Sequence, residues 1–302
     1  MSIKVDIVYT WVNNDLQFAE RLNTYATSNL DKKSNRYRDI HDTLKYSLRS
    51  VEKYAPWINK IHIVTQRPQV PEWLDQNHPK IKIVHHDAFI PEEYLPTFNP
   101  RVIQSFFHLI PNSADHLLYM NDDYLFGNKI EMDDYVTGKG KLKVYGSIIG
   151  IPLKFRVFAQ KNQVIGLPRL EHFPFLIYKP YWENMLHLRE SELEDTRRSR
   201  FRKRSNLRVD RLYRYYLLSK MRPWVVAVFA WRLLKISRFV PLTDDLGVVY
   251  KVRRALEDKP KFICINDNQS EQPNEAISQG LAEVLDQYYP DESGFEKNTL
   301  QV

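Results

Sequence analysis

The apolar positions of this chain fall in short unbroken runs separated by amphipathic stretches, the pattern of buried parallel strands alternating with helices. Lys4–Val12 (KVDIVYTWV), Ile58–Thr65 (INKIHIVT), Ile81–His86 (IKIVHH) and the run opening LLYMNDDYLF at Leu117 read as strands. Leu16–Ser28 reads as a helix. Arg36–Tyr54 reads as another, with Ile40, Leu44, Leu48 and Val51 spaced three and four apart on one face. Val102–Ile110 supplies a further helix, and Lys141–Phe158 predicts a strand hairpin inserted into the α/β order. Trp224–Trp231 (WVVAVFAW) predicts a core helix, because it is too short to cross a bilayer. Phe262–Ile265 is a last strand and Glu275–Tyr289 a last helix. The fold class is α/β and Rossmann-like, a mostly parallel sheet with a helical C-terminal part. Residues 1–166 form the ligand-binding core, and residues 167–302 complete the same catalytic domain with a helical, basic segment and the final strand.

Two of these strands stop on the same device. Leu117–Met120 ends at Asn121-Asp122-Asp123, and Phe262–Ile265 ends at Asn266-Asp267. Carboxyl ends of parallel strands border the ligand crevice of an open α/β sheet, so acidic residues there can hold a cation on a phosphate or accept a proton. A bare turn is the plain alternative for either pair. Recurrence argues for one shared site. Asp6 interrupts the first strand. A buried carboxylate is costly without a partner, so it either caps a turn or faces a ligand, and the second reading is preferred. Arg36, Arg38 and Asp39 sit at the expected start of the second helix, where backbone N–H groups and guanidinium groups suit phosphate. His85 and His86 point to opposite faces of a strand, which makes a poor joint metal site.

Composition narrows the partners. The 302 residues are 43% hydrophobic and 27% charged, enough for a large core, and the single cysteine, Cys264, excludes an intramolecular disulfide. A formal charge of +7 favours anionic partners. The excess is concentrated between Ser191 and Tyr216, where arginines interleave with Phe201, Tyr213, Tyr215 and Tyr216. Such a run suits nucleic acid, a solvated helix face, or an anionic lipid or polymer surface. The absence of any RNP, helix-turn-helix or zinc pattern argues against nucleic acid. Neither a signal peptide nor an apolar span of roughly 20 residues is visible, so the expected location is cytoplasmic with peripheral contact at an anionic inner membrane face.

The segments VDIVYTWVNNDLQF, RYRDIHDTLKYSLRSVEKYAPWINKIHIVTQRPQVPEWL, LLYMNDDYLF, LEHFPFLIYK and KFICINDN together resemble the ordered conserved regions of the Stealth family. That family comprises bacterial capsular polysaccharide hexose-1-phosphate transferases and the animal lysosomal-enzyme GlcNAc-1-phosphotransferase. The resemblance implies a modified glycosyltransferase-A-like fold using Mg2+ or Mn2+. It also implies transfer of a sugar-1-phosphate from a UDP-sugar to a hydroxyl of a glycan or lipid-linked saccharide in capsule or exopolysaccharide synthesis. The product is a phosphodiester and the leaving group is UMP. The implied site takes Asp6, Trp11, Asn13 and Asp15 from the first region and Arg38, Asp39, Asn121, Asp122 and Asp123 from the second. His172 and Arg202 come from the third region, Asn266 and Asp267 from the fourth. On this reading Asp122 and Asp267 hold the metal, Arg38 and Arg202 neutralise the diphosphate, and His172 or Asp123 accepts the hydroxyl proton. The remaining residues contact the donor. The rival reactions are a metal-dependent glycosyl transfer that releases UDP and, from another class, nucleic-acid binding.

Overall fold

The computed structural model describes residues 3–29, 31–32, 36–147 and 172–297. In chain order the elements are β1 (Val5–Thr10), α1 (Leu16–Tyr25), α2 (Thr43–Tyr54), β2 (Ile61–Thr65), β3 (Ile81–His85), α3 (Pro100–Ser105), β4 (His116–Asn121), β5 (Tyr124–Phe126) and β6 (Leu142–Ser147). After residue 171 follow β7 (Phe175–Tyr178), α4 (Lys179–His187), α5 (Glu190–Arg197), α6 (Val209–Lys220), β8 (Val225–Phe229), α7 (Ala230–Ile236), β9 (Ser237–Leu242), α8 (Gly247–Glu257), β10 (Phe262–Asp267) and α9 (Glu275–Tyr288).

The main sheet has the order β3-β2-β1-β4-β7, parallel except for the antiparallel edge strand β7. Its uninterrupted Val, Ile and Leu runs are the mark of strands covered on both faces, and β2 is buried throughout. From α2 come Leu44, Leu48 and Val51. From α4 and α6 come Trp182, Met185, Tyr213 and Leu217, all in the same core as β1 and β4. Full burial of one such side chain is worth ~2 kcal/mol, so residues beyond 166 are part of the core domain's stability.

Strand order decides where a ligand fits. The chain steps outward from β1 to β2 and β3, then returns to place β4 on β1's other side, so the order reverses between β1 and β4. At such a switch point the crevice opens beyond the carboxyl ends of the strands. In register Thr10 lies opposite Asn121, so Trp11 and the Asn121-Asp122-Asp123 turn leave the sheet side by side. That turn reverses the chain into β5, which pairs antiparallel with β10, and β10 pairs in parallel with β9. Because Cys264 lies opposite Tyr124, β10 carries Asn266 and Asp267 back past the turn. The two Asn-Asp strand ends meet because one strand feeds the sheet that holds the other. Behind β10, Gly280 of α9 lets α8 approach: a Cβ there would lie 3.3 Å from the Val249 methyls.

Three expectations are corrected. The helix expected from Arg36 begins only at Thr43, after Asp42 takes a left-handed φ of 49°. Hydrogen bonds from residues 38 and 39 to distant elements outweigh the helical periodicity of the segment. WVVAVFAW is not a core helix. Its β-branched residues form β8, and α7 follows with Trp231 46% and Leu234 66% exposed. The hairpin expected over Lys141–Phe158 reaches only β6 among the described residues, paired in parallel with the distant β8, and 148–158 lie outside them. Among the described residues no helix is long and apolar enough to cross a membrane.

Candidate active site

A cavity of about 510 Å³ opens beyond the strand ends, lined by Trp11, Arg38, Asp39, Asn121, Asp122, Asp123, His172, Arg202, Asn266 and Asp267 among others. A second cavity of about 230 Å³ adjoins it, and the two share Pro100, Asn121, His172 and Arg202 in their walls. Ten of the thirteen expected site residues therefore border one space.

Asp122 and Asp123 crowd together at the β4–β5 turn. Burial, then the neighbouring Asp123 and Asp39 carboxylates, push the Asp122 carboxyl well above the usual range. Burial likewise raises Asp123. Its Oδ2 accepts from Asn266 Nδ2 at 2.9 Å and from the Cys264 thiol at 3.4 Å, whereas Oδ1 is buried with no hydrogen-bond partner among the described residues. Burial and the same carboxylate hold the Cys264 thiol protonated, so it is a donor here and not a nucleophile.

His172 stands between the cavities. Its φ is 65°, a left-handed backbone that a histidine adopts at a cost of about 1–3 kcal/mol. The ring stacks on Phe239 at 4.2 Å between centroids, and Nδ1 lies 3.7 Å from Cys264 Sγ. Burial lowers its pKa from the ordinary histidine value, Asp123 opposes that and Arg208 adds to it. The imidazole is thus neutral at pH 7, the form a general base requires.

Asp267, expected beside Asp122 as a metal ligand, is engaged by Arg38 in this structure. Its Oδ2 accepts from Arg38 Nε at 2.6 Å and its Oδ1 from Arg38 Nη2 at 3.0 Å, a two-pronged ion pair that commits both oxygens. Asp267 aims Arg38 at the cavity. Asp39 holds the adjoining loop: Oδ2 accepts from Trp11 Nε1 at 2.8 Å and Oδ1 from the Thr43 amide at 2.9 Å, tying β1's exit to the start of α2.

Asp6 is misread as a ligand contact. It lies at the far, amino end of β1 and is 0% exposed, with Oδ1 accepting from Asn59 Nδ2 and the Lys60 amide and Oδ2 from the Ala114 amide at 2.8 Å. His62 Nε2 lies 3.0 Å from Oδ2. Burial alone raises the Asp6 pKa, but His62, Ala114 and Asn59 together outweigh it and hold the carboxyl low. The sequence shows a buried carboxylate but hides the partners, which come from the approach to β2, from β2 itself and from the loop before β4. Asn13 and Asp15 are also outside the cavity. Gln69 Nε2 donates to Asp15 Oδ2 at 2.7 Å and to the Asn13 carbonyl, and Asp15 Oδ1 caps α1 through the Phe18 amide.

The basic run is only partly turned inward, with Arg198, Arg200, Arg202, Lys203 and Arg204 exposed. Arg197 lies 4.1 Å over the Phe106 ring and donates to Ser105, Arg200 lies over Tyr25, and Arg202, Arg208, Arg211 and Arg214 line the smaller cavity. Arg101 and Lys143, which drew no attention in the sequence, line it too. Arginines at spacings of three on α6 were the available signal for a shared wall.

The residues that make this site lie in segments with known relatives. Residues 36–144 match Stealth protein CR2, conserved region 2, and residues 254–302 match Stealth protein CR4, conserved region 4. A capsular polysaccharide phosphotransferase of Streptococcus thermophilus, eps5J, is 37% identical over 178 residues, covering 56% of this chain and 72% of its own length. The chain belongs to the Stealth family.

Longer alignments extend the similarity over nearly the whole Stealth chain. The receptor polysaccharide phosphotransferase WefC of Streptococcus gordonii is 28% identical over 350 residues, 97% of this chain and 99% of that one. An exopolysaccharide phosphotransferase of Streptomyces coelicolor is 29% identical over 314 residues, again 97% of this chain, which spans about half (52%) of that relative. Among solved structures, the galactosyltransferase LgtC superposes with a TM-score of 0.46 at 12% identity over 94% of this chain and 95% of that one. CR2 contains Arg38, Asp39 and the Asn121-Asp122-Asp123 turn, and CR4 contains Asn266 and Asp267, so both strand ends lie in matched regions.

Proposed function

We propose that this Stealth protein is a polysaccharide phosphotransferase that moves a sugar-1-phosphate from a UDP-sugar to a glycan hydroxyl and releases UMP. The observation that carries the reading is the convergence on one cavity of paired carboxylates, two arginines and a neutral histidine. The donor occupies the larger cavity, with Trp11, Tyr37 and Phe98 in its walls to receive the nucleotide. Arg38, aimed by Asp267, and Arg202 face its diphosphate. Arg202 has no carboxylate partner among the described residues, so its charge is available to an anion.

In the transfer the acceptor oxygen forms a bond to the sugar-linked phosphorus while the bond from that phosphorus to the UMP oxygen breaks. UMP departs with the electron pair, and the hydroxyl proton passes to His172. Transfers of this kind depend on positioning and on stabilisation of phosphoryl charge. Cys264 and Phe239 position the imidazole, and Asn266 positions Asp123.

A divalent ion, magnesium or manganese, suits the residues present. Hard carboxylate oxygens that repel one another, with Asp123 Oδ1 unpartnered among the described residues, favour a hard cation, and magnesium needs only one or two carboxylates beside substrate phosphates. Asp122 and Asp123 would hold it, not Asp267. When bound, such an ion neutralises charge on the diphosphate and the departing nucleotide.

The test is to incubate the protein with a panel of UDP-sugars, magnesium and capsule-type acceptors and to identify the nucleotide. UMP is expected. UDP with a phosphorus-free glycan would replace this reading by glycosyl transfer.

A further inference from the structure

Tyr119 and Asn121 stand two residues apart on β4 and so share one face of the sheet. The Tyr119 ring is buried and held between Phe107, 5.3 Å away between centroids, and Phe175, 5.4 Å away. Three polar groups reach its hydroxyl. Gln104 Nε2 of α3 donates to it at 3.0 Å, Thr10 Oγ1 at the end of β1 lies 3.2 Å from it, and the hydroxyl donates to Asn121 Oδ1. Burial pushes the Tyr119 hydroxyl up to about 12, so it keeps its proton. A phenol has one proton to give and can accept twice. With Gln104 at one acceptor position and Thr10 at the other, the proton goes to Asn121 and all three contacts are satisfied at once. That fixes the Asn121 amide. Its carbonyl oxygen is turned to Tyr119, which leaves Nδ2, a group that can only donate, without a hydrogen bond among the described residues.

Asn121 borders both cavities, and so does His172. On the reading of the preceding section the reacting phosphorus lies at that boundary, where the hydroxyl deprotonated by His172 meets the donor. The carboxylates beside Asn121 in the turn, Asp122 and Asp123, accept hydrogen bonds and repel phosphoryl oxygens. An amide N–H donates to such an oxygen, and the bond strengthens as charge gathers there in the transition state. We propose that Asn121 Nδ2 donates to a non-bridging oxygen of the transferred phosphate, and that Tyr119, itself held by Gln104 and Thr10, is the positioning residue that keeps the amide aimed there. This inference rests on the phosphotransferase reading. The tyrosine acts through the asparagine, so its loss should matter only while Asn121 is present.

The experiment measures turnover of the full chain with a UDP-sugar and an acceptor glycan. Tyr119→Phe, which removes the hydroxyl and keeps the ring, should lower kcat roughly 10- to 100-fold, with both KM values within a few-fold. Asn121→Ala should lower kcat roughly 100-fold. Added to Asn121→Ala, Tyr119→Phe should cost nothing further. A tyrosine that merely supports the fold would lower turnover in both backgrounds. Gln104→Leu, which lets the hydroxyl turn away, should give a smaller loss that also disappears with Asn121→Ala, and it carries the test if Tyr119→Phe folds poorly. Circular dichroism checks the fold of each variant. A second readout is a UDP-sugar with sulfur in place of one non-bridging oxygen on the sugar-linked phosphorus, made as each diastereomer. Sulfur is a poor acceptor, so one diastereomer should slow the wild type, and that penalty should shrink in Asn121→Ala and in Tyr119→Phe. Normal turnover of Tyr119→Phe would overturn the proposal. So would an undiminished effect of Tyr119→Phe in the Asn121→Ala background, or a sulfur penalty that is the same with and without the Asn121 amide. Failure of the phosphotransferase reading has a separate signature, release of UDP by the wild type.

Discussion

Asp6 and Asp123 are both buried carboxylates, and their partners separate their uses. Asp6 is saturated by four donors on three segments, so it is a joint in the sheet. Asp6→Ala should cost roughly 3 kcal/mol in denaturant unfolding, the scale for removing one partner from a buried charged network, with little change in KM for the folded fraction. Because its folded pKa is depressed, this stabilisation is present above the unfolded value near 3.8 and fades as pH falls through the lower folded value. Asp123 keeps one oxygen unpartnered among the described residues and burial lowers the His172 pKa, which is what supports the chemical roles proposed for them. His172→Ala should lower kcat roughly 100- to 10,000-fold and leave the donor KM within a few-fold. In the wild type, kcat/KM should fall on the acid side with a midpoint below 6.5, since the base must be unprotonated and burial lowers its pKa. A midpoint above 6.5, or His172→Ala with normal turnover, would move the proton acceptor to Asp123.

At the level of elements, the strands were legible because a buried parallel strand is written as an unbroken apolar run, and β1, β2, β3, β4 and β10 all appear where those runs lie. The strand-end site was legible for the same reason: Asn121-Asp122-Asp123 and Asn266-Asp267 are the residues where apolar runs stop. What periodicity could not show was the use made of the segment before α2. Arg38 leaves the helical path for Asp267, 229 residues away, and Asp39 caps the helix from outside it. No local pattern encodes such a pairing. Its consequence is testable, because on the proposed reading Asp267→Asn weakens the anchor of Arg38 without removing a metal ligand. The donor KM should rise roughly tenfold, about one charge-assisted pair, with metal affinity unchanged. Loss of metal affinity would instead restore the Asp122–Asp267 pair read from the sequence.

For the whole molecule, part of the positive charge that suggested an exposed anionic contact lines the groove, while Arg198, Arg200, Lys203 and Arg204 stay exposed beside it. Arg101, Arg202, Arg208, Arg211 and Arg214 make one side of a two-chambered groove whose other side is acidic. Net charge reports the sign of a partner but not which surface meets it. That surface emerges only when α3, α6 and the end of β4 are brought together. The acidic side predicts a metal requirement: chelator should abolish transfer, magnesium or manganese should restore it, and Asp122→Asn should raise the metal concentration needed by tenfold or more with the fold intact. Activity undiminished in chelator would leave the carboxylates a protein-only role. The central claim is attack at phosphorus, and the fate of the sugar-linked phosphate tests it most directly. A UDP-sugar carrying a phosphorus label only at that position, turned over with an acceptor glycan, should leave its label in the glycan as a phosphodiester and release unlabelled UMP. Label recovered in UDP, with none in the glycan, would contradict it.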